Sequence, residues 1–258
     1  SCVDCGHDTT LFTYGPVEGV PEGVRVRDGN EIYPAESFVE NSLKGSLALF
    51  SDLFRYHMIA REPGMIWVDT DIYVWRPIDI GTAHVFGYES ENRMNGAVLG
   101  LPPDSEALDL MLEFTRDEFP IPPFFPARVR REYSERHEAG NPAHVSEMKW
   151  GVWGPLCVTH FLNRTGEAKY AQPREVFYPV HFRDKRKFFR RPAMALRQIA
   201  ENTHTVHIWA PVKRVSGQRY GGGVPEKSFL DVLLKKHGID HNLAAVTRHA
   251  KHVFREDA

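Results

Sequence analysis

Met65 to Val68 is a four-residue apolar run bounded by Pro63-Gly64 on one side and acids on the other, a pattern that predicts a short strand buried on both faces. Upstream, Leu43, Leu47, Phe50, Phe54 and Met58 recur three or four residues apart, which reads as the apolar stripe of one helix. Asp52 and Arg55, three apart, share a helix face off that stripe. Farther on, Pro103-Asp104 followed by Leu108, Met111, Leu112 and Thr115 predicts a helix with an acidic N-cap, ending before the Pro-rich loop 120–126. The charged stretch 128–149 lacks a core-sized apolar pattern and reads as an excursion rather than a second domain. Pro155 fits the first turn of a helix through Arg164 with Gly166 past its end. Val176 to Val180 and Thr205 to Trp209 read as late strands. Ser228 and Asp231 resemble a cap for a helix to Lys236 closed by Gly238, with a further helix expected from about 240 onward. Helices alternating with strands predict an α/β fold, organised as one domain over 1–258 with 227–258 as a helical tail.

The chemistry concentrates where the Met65–Val68 strand leaves the core. Ligands of open α/β sheets bind at the carboxyl ends of strands, and Asp69 and Asp71 stand there. On an extended chain residues two apart point the same way. Two carboxylates on one side call for a counter-ion, usually a hard divalent metal. The Asp-x-Asp spacing alone is weak, and Asp52 with Arg55 alone reads as a solvated ion pair. Helix, turn, strand and acid pair within thirty residues carry more information together.

SDLFRYHMIAREPGMIWVDTDI at 51–72 resembles the core motif of the DxD-containing sugar transferases related to the yeast initiating mannosyltransferase, to capsular polysaccharide synthesis enzymes and to the catalytic domain of the large clostridial glucosylating toxins. Ser51, Asp52, Arg55, Gly64, Asp69 and Asp71 fall on the motif, while Pro63 replaces its first Gly and Trp67 its aromatic. GHDTTLFTYGPVEGVPEGVRVRD at 6–28, MNGAVLGLPPDSEAL at 94–108, WGPLCVTHFLNR at 153–164 and TVHIWAPVKR at 205–214 are similar to four further landmarks in the same order. The family opens with a strand and helix that help hold the base; this chain begins in what resembles the end of that helix, so the first strand is expected to be missing.

The resemblance implies a GT-A-like fold, a mixed and mostly parallel sheet flanked by helices, and a metal-dependent glycosyltransferase that retains anomeric configuration. The donor implied is a UDP-sugar or GDP-mannose with Mn2+ or Mg2+, and the acceptor a glycan or glycolipid of surface polysaccharide or capsule assembly. Asp71 is the expected metal ligand, with Asp69 binding metal through water or holding the ribose; Asp52 and Arg55 would hydrogen-bond the donor sugar, and Asn95 would line its pocket. His207, in the family's His-x-Trp element, is the candidate third metal or phosphate ligand, against an ordinary hydrogen-bonded histidine. Trp209 packs either on sugar or base or in the core. Lys213 and Arg214, leading through Ser216-Gly217 to Tyr220-Gly221-Gly222-Gly223, form either a lid over the diphosphate or a plain flexible connection. Glu147 is a candidate contact near the acceptor.

Composition narrows the partners. A chain of 258 residues with a net charge of −2 gives no global sign of a nucleic-acid or anionic-membrane partner. One local exception is RDKRKFFRR at 183–191, six bases against one acid, which suits an anionic acceptor, peripheral contact with a phospholipid surface, an RNA backbone, or most commonly solvent. It is not read as a nucleic-acid site. Three cysteines, two in Cys2-Val3-Asp4-Cys5 without a second pair, argue against zinc and favour a reducing compartment; the expected location is the cytoplasm, with 183–191 the candidate contact at the inner membrane face. No apolar run approaches spanning length. Two rivals stand beside the transferase: a haloacid-dehalogenase-type phosphatase with Asp69 as nucleophile, and a non-catalytic nucleotide-sugar-binding module.

Overall fold

The computed structural model describes residues 1–37 and 47–241. In chain order the elements are β1 (Thr9–Thr13), β2 (Val24–Asp28), α1 (Ala48–Arg61), β3 (Trp67–Val68), β4 (Ile72–Val74), β5 (Val85–Ser90), β6 (Arg93–Gly100), α2 (Glu106–Phe114), α3 (Ala127–Glu138), α4 (Pro155–Arg164), α5 (Arg174–Phe177), α6 (Ala193–Leu196), β7 (Thr205–His207), α7 (Ala210–Arg219) and α8 (Phe229–Lys236). The mixture of helices and sheets is α/β. It divides into two compact units, each assembled from separated segments: one from 1–7, 69–79 and the chain from Pro173 on, the other from 8–68 and 80–172.

The larger unit is built around the three-stranded order β3-β6-β5. Residues 94–100 of β6 are all buried, as a central strand with both faces covered requires. Phe50, Phe54, Met58 and Ile59 of α1, Met94 and Leu99 of β6, Leu108 and Met111 of α2, and Val158, Phe161 and Leu162 of α4 form one core. Each of these side chains contributes roughly 1.5–3 kcal/mol by leaving water. The stripe predicted for α1 is present at Phe50, Phe54 and Met58; Leu47 is the exposed N-cap, and Leu43 lies outside the described residues. A second core joins Leu49 and Leu53 to Phe125, Ala143, Val145, Met148, Val152 and Trp153. The stretch 128–149 therefore does supply core, through Ala143, Val145 and Met148, although α3 within it has no buried residue.

The mostly parallel sheet is corrected by the strand pairs. Among the described residues β1 and β2 pair in parallel, whereas β3 with β6, β5 with β6 and β4 with β7 are antiparallel. The physical reason is clearest between β5 and β6, which are joined by Glu91-Asn92 alone; a two-residue loop reverses the chain and leaves only antiparallel pairing.

Met65–Val68 also departs from expectation. Only Trp67 and Val68 pair, and all four residues are half-buried, because β3 is an edge strand of its sheet. The N-cap of α2 is Ser105, whose Oγ accepts from Leu108 N at 3.1 Å, rather than Asp104. Val176–Val180 is not a strand: Pro173 starts a helical turn, α5, and the chain then runs irregularly. In contrast α4 starts at Pro155 with Gly166 at φ +77° beyond it, and α8 is capped by Ser228, whose Oγ accepts from Asp231 N at 3.3 Å. The helix expected from about 240, and most of the proposed tail, lie outside the described residues.

The smaller unit centres on the ladder of β4 with β7, in register Ile72 to His207, Tyr73 to Val206 and Val74 to Thr205. Thr205 Oγ1 donates to Phe177 O at 2.7 Å, and Phe188 and Phe229 pack ring to ring at 5.8 Å. No helix among the described residues is long and apolar enough to cross a membrane.

Candidate functional site

Asp69, Thr70 and Asp71 do not continue a strand. They form a tight turn closed by Ile72 N donating to Asp69 O at 2.9 Å, so the shared direction of the acids comes from the turn and not from an extended backbone. Pairing Ile72 with His207 then lays the imidazole beside Asp71, and Ile208 N donates to Asp71 O at 2.8 Å to extend the ladder. His207 Nε2 stands 3.1 Å from Asp71 Oδ1. Ligand atoms of Asp69, Asp71 and His207 all lie within 4.8 Å of one another.

Burial pushes the Asp71 carboxyl up, but the hydrogen bond and charge of His207, a backbone hydrogen bond and the charge of Lys213 outweigh it and hold the group below its ordinary value. Asp71 is thus an anion at neutral pH. Two carboxylates and an imidazole form a hard, mostly oxygen donor set of the kind divalent cations take. His207 Nδ1 is buried with no hydrogen-bond partner, so Nε2 is the ring atom that faces the carboxylates, and a metal there would displace the proton it shares with Asp71. These residues fit a divalent metal.

Trp209 packs in the core, the second of the two placements expected for it. It is buried, its Nε1 donates to Val180 O at 2.7 Å, and its ring stacks on His207 with centroids 3.8 Å apart and planes 25° from parallel. Its backbone has φ +59°, a strained state for a bulky residue. That bend turns the chain from β7 directly into α7. Lys213 and Arg214 are exposed on α7, so the segment expected as lid or flexible connection is helical up to Arg219. Ser216 Oγ donates to Gly223 O at 2.7 Å and anchors the glycine run behind it.

In the larger unit, Asp52 and Arg55 are ion-paired at 3.2 Å with side chains only 8% and 6% exposed, which corrects the solvated reading of that pair. Arg55 lies over the Trp67 ring at 5.4 Å. Two glycines make room for the pair. A Cβ at Gly96 of β6 would overlap Arg55 Nη1, and one at Gly154, the N-cap of α4, would sit 2.7 Å from Asp52 Oδ2. The Asp52 carboxylate therefore lies at a helix N-terminus, where negative charge is favoured.

Asn95 is buried; its Nδ2 donates to Glu89 Oε2 at 2.7 Å and its Oδ1 accepts from Ala97 N at 2.8 Å. Glu89, 9% exposed, is a buried acid that the sequence reading missed. Its only signal is its place on the outgoing arm of the Glu91-Asn92 hairpin that returns to Asn95. Glu147 accepts from Arg136 Nη2 at 3.2 Å in an exposed pair.

A buried acid and arginine pair, a carboxylate and imidazole cluster at a strand exit, and an α/β scaffold are features compatible with a glycosyltransferase. Residues 146–237, just over a third of the chain, match the conserved region of the alpha 1,4-glycosyltransferase family, which supports glycosyl transfer and a transferase. The matched segment holds His207, Trp209, Lys213 and Arg214, but neither Asp69 nor Asp71. No curated protein and no solved structure matches the chain.

Proposed function

We propose that the protein is a metal-dependent glycosyltransferase of the GT-A type, transferring a hexose from a nucleotide-sugar donor to a glycan or glycolipid acceptor with retention of anomeric configuration. The observation that carries this reading is the convergence of Asp69, Asp71 and His207 within 4.8 Å. Asp71 and His207 hold Mn2+ or Mg2+, with Asp69 completing the set directly or through water. A divalent cation there supplies Lewis-acid stabilisation to a departing diphosphate. Lys213, whose positive charge is felt at Asp71, adds cationic stabilisation for phosphate, and Arg214 adds to it from the same helix.

Asp52, Arg55 and Asn95 recognise donor hydroxyls. Each is buried and held by a hydrogen bond or ion pair within the larger unit, which fixes its orientation, and a site built to hydrogen-bond hydroxyls discriminates strongly among sugars. The anomeric carbon–oxygen bond to diphosphate breaks as the bond to the acceptor oxygen forms, and the acceptor's proton passes to the departing diphosphate oxygen on the same face. The donor is a UDP-sugar or GDP-mannose, and the product belongs to surface polysaccharide biosynthesis.

The test is release of nucleoside diphosphate from a panel of nucleotide sugars with and without Mn2+, beside Asp71→Asn. Metal-dependent release from one donor, reduced about a hundredfold or more in the variant, supports the reading. Release that persists in chelator and in Asp71→Asn excludes it.

A further inference from the structure

Residues 182–197 stand apart from the rest of the chain in charge and in exposed apolar surface. Arg183, Lys185, Arg186, Lys187, Arg190, Arg191 and Arg197 face a single acid, Asp184. With seven bases against one acid here and a total of −2, everything outside the segment carries a net −8. Asp184 is committed locally, accepting from Lys187 Nζ at 2.8 Å and from Gln198 Nε2 at 3.0 Å. Five arginines, Arg183, Arg186, Arg190, Arg191 and Arg197, are exposed.

Among them three large apolar side chains are exposed, Phe182 at 39%, Met194 at 48% and Leu196 at 42%, although one side of the Phe182 ring packs on His181 and Trp209. The segment is nevertheless anchored. Phe188 and Phe189 are buried, Phe188 against Phe229 and Phe189 stacked on Tyr220 at 4.9 Å, and Arg190 O accepts from Phe229 N at 2.8 Å. A solvated basic loop needs neither the exposed Met and Leu nor the buried aromatic anchors.

We infer that residues 182–197 form a surface that docks on an anionic phospholipid bilayer, with the arginines at the phosphates and Phe182, Met194 and Leu196 entering the headgroup–acyl boundary. Charge complementarity selects the anionic partner, since basic residues near such a surface each strengthen binding severalfold. The apolar side chains select a bilayer over a soluble polyanion, which offers nothing for Met or Leu to enter. Interfacial helices use the same combination, and arginine's weakly hydrated guanidinium suits contact with phosphate. The inference is independent of the glycosyl-transfer reading, because its readout requires no turnover.

The experiment is flotation of the whole protein with vesicles of phosphatidylcholine alone, or with roughly a third phosphatidylglycerol, at about 0.1 M NaCl. Two variants are compared after thermal melts establish that they fold like the parent: Arg190→Glu with Arg191→Glu, and the uncharged exchange Met194→Ser with Leu196→Ser. The parent should bind the anionic vesicles at least tenfold more tightly than the neutral ones. The charge reversal should weaken this more than about fiftyfold, and the serine pair about tenfold with an unchanged salt dependence. Equal binding to both vesicle types, or none to either, overturns the inference. So does full binding by the serine pair, which would show that Met194 and Leu196 do not enter the bilayer.

Discussion

Arg55 and Asp52 form a buried pair whose value depends on both members being present. Removing one leaves an uncompensated charge, typically destabilising by about 3–5 kcal/mol, so Arg55→Met should show that loss in urea melts. Gly154→Ala tests the same pocket from its wall. The added methyl would press on Asp52 Oδ2, and such overpacking costs about 1–3 kcal/mol. His57 offers a pH test. Burial chiefly, with Arg61 and Arg116 nearby, lowers its pKa to about 4 from an ordinary 6.5. Between those values the unfolded chain binds a proton that the folded chain does not, so stability is full above about 6.5 and falls as pH drops toward 4. His57→Gln should flatten that part of the curve in urea midpoints measured from pH 7 to 4.5.

At the scale of elements, capping sets the ends of helices that packing alone would leave ragged. Ser228→Ala removes the acceptor for Asp231 N and should lower stability by about 1 kcal/mol, read as a drop in thermal midpoint with no change in far-ultraviolet signal. Such caps were legible in advance because their chemistry is local: Pro155, Gly166, Ser228 and Gly238 each announce a boundary. Sheet direction was not legible, since it depends on which strands meet, and only the hairpin loop Glu91-Asn92 encodes it locally. The acids at 69 and 71 are legible from their spacing behind a helix, turn and strand, but an extended chain is the wrong reason for their shared direction, since the turn at Asp69–Ile72 brings them round. Gly96 and Gly154 escaped notice because their role is empty space, visible only once Arg55 and Asp52 fill it. Val145 and Met148 were hidden by the charged residues around them.

Across the whole molecule, the chain passes between its two compact units at 7/8, 68/69, 79/80 and 172/173, and neither unit is a continuous segment. A stop after His204 should therefore be far more damaging than its position suggests. It deletes β7, the sole strand paired with β4 among the described residues, together with Trp209, α7 and α8; loss of a cooperative urea transition would check this. The cluster itself has a consequence in time. Asp71 and His207 are 136 residues apart, and a ribosome adds about 5–20 residues per second. On that basis the two acids emerge roughly seven to thirty seconds before the imidazole that completes their set. The nascent protein spends that interval with its most concentrated chemistry present but unassembled.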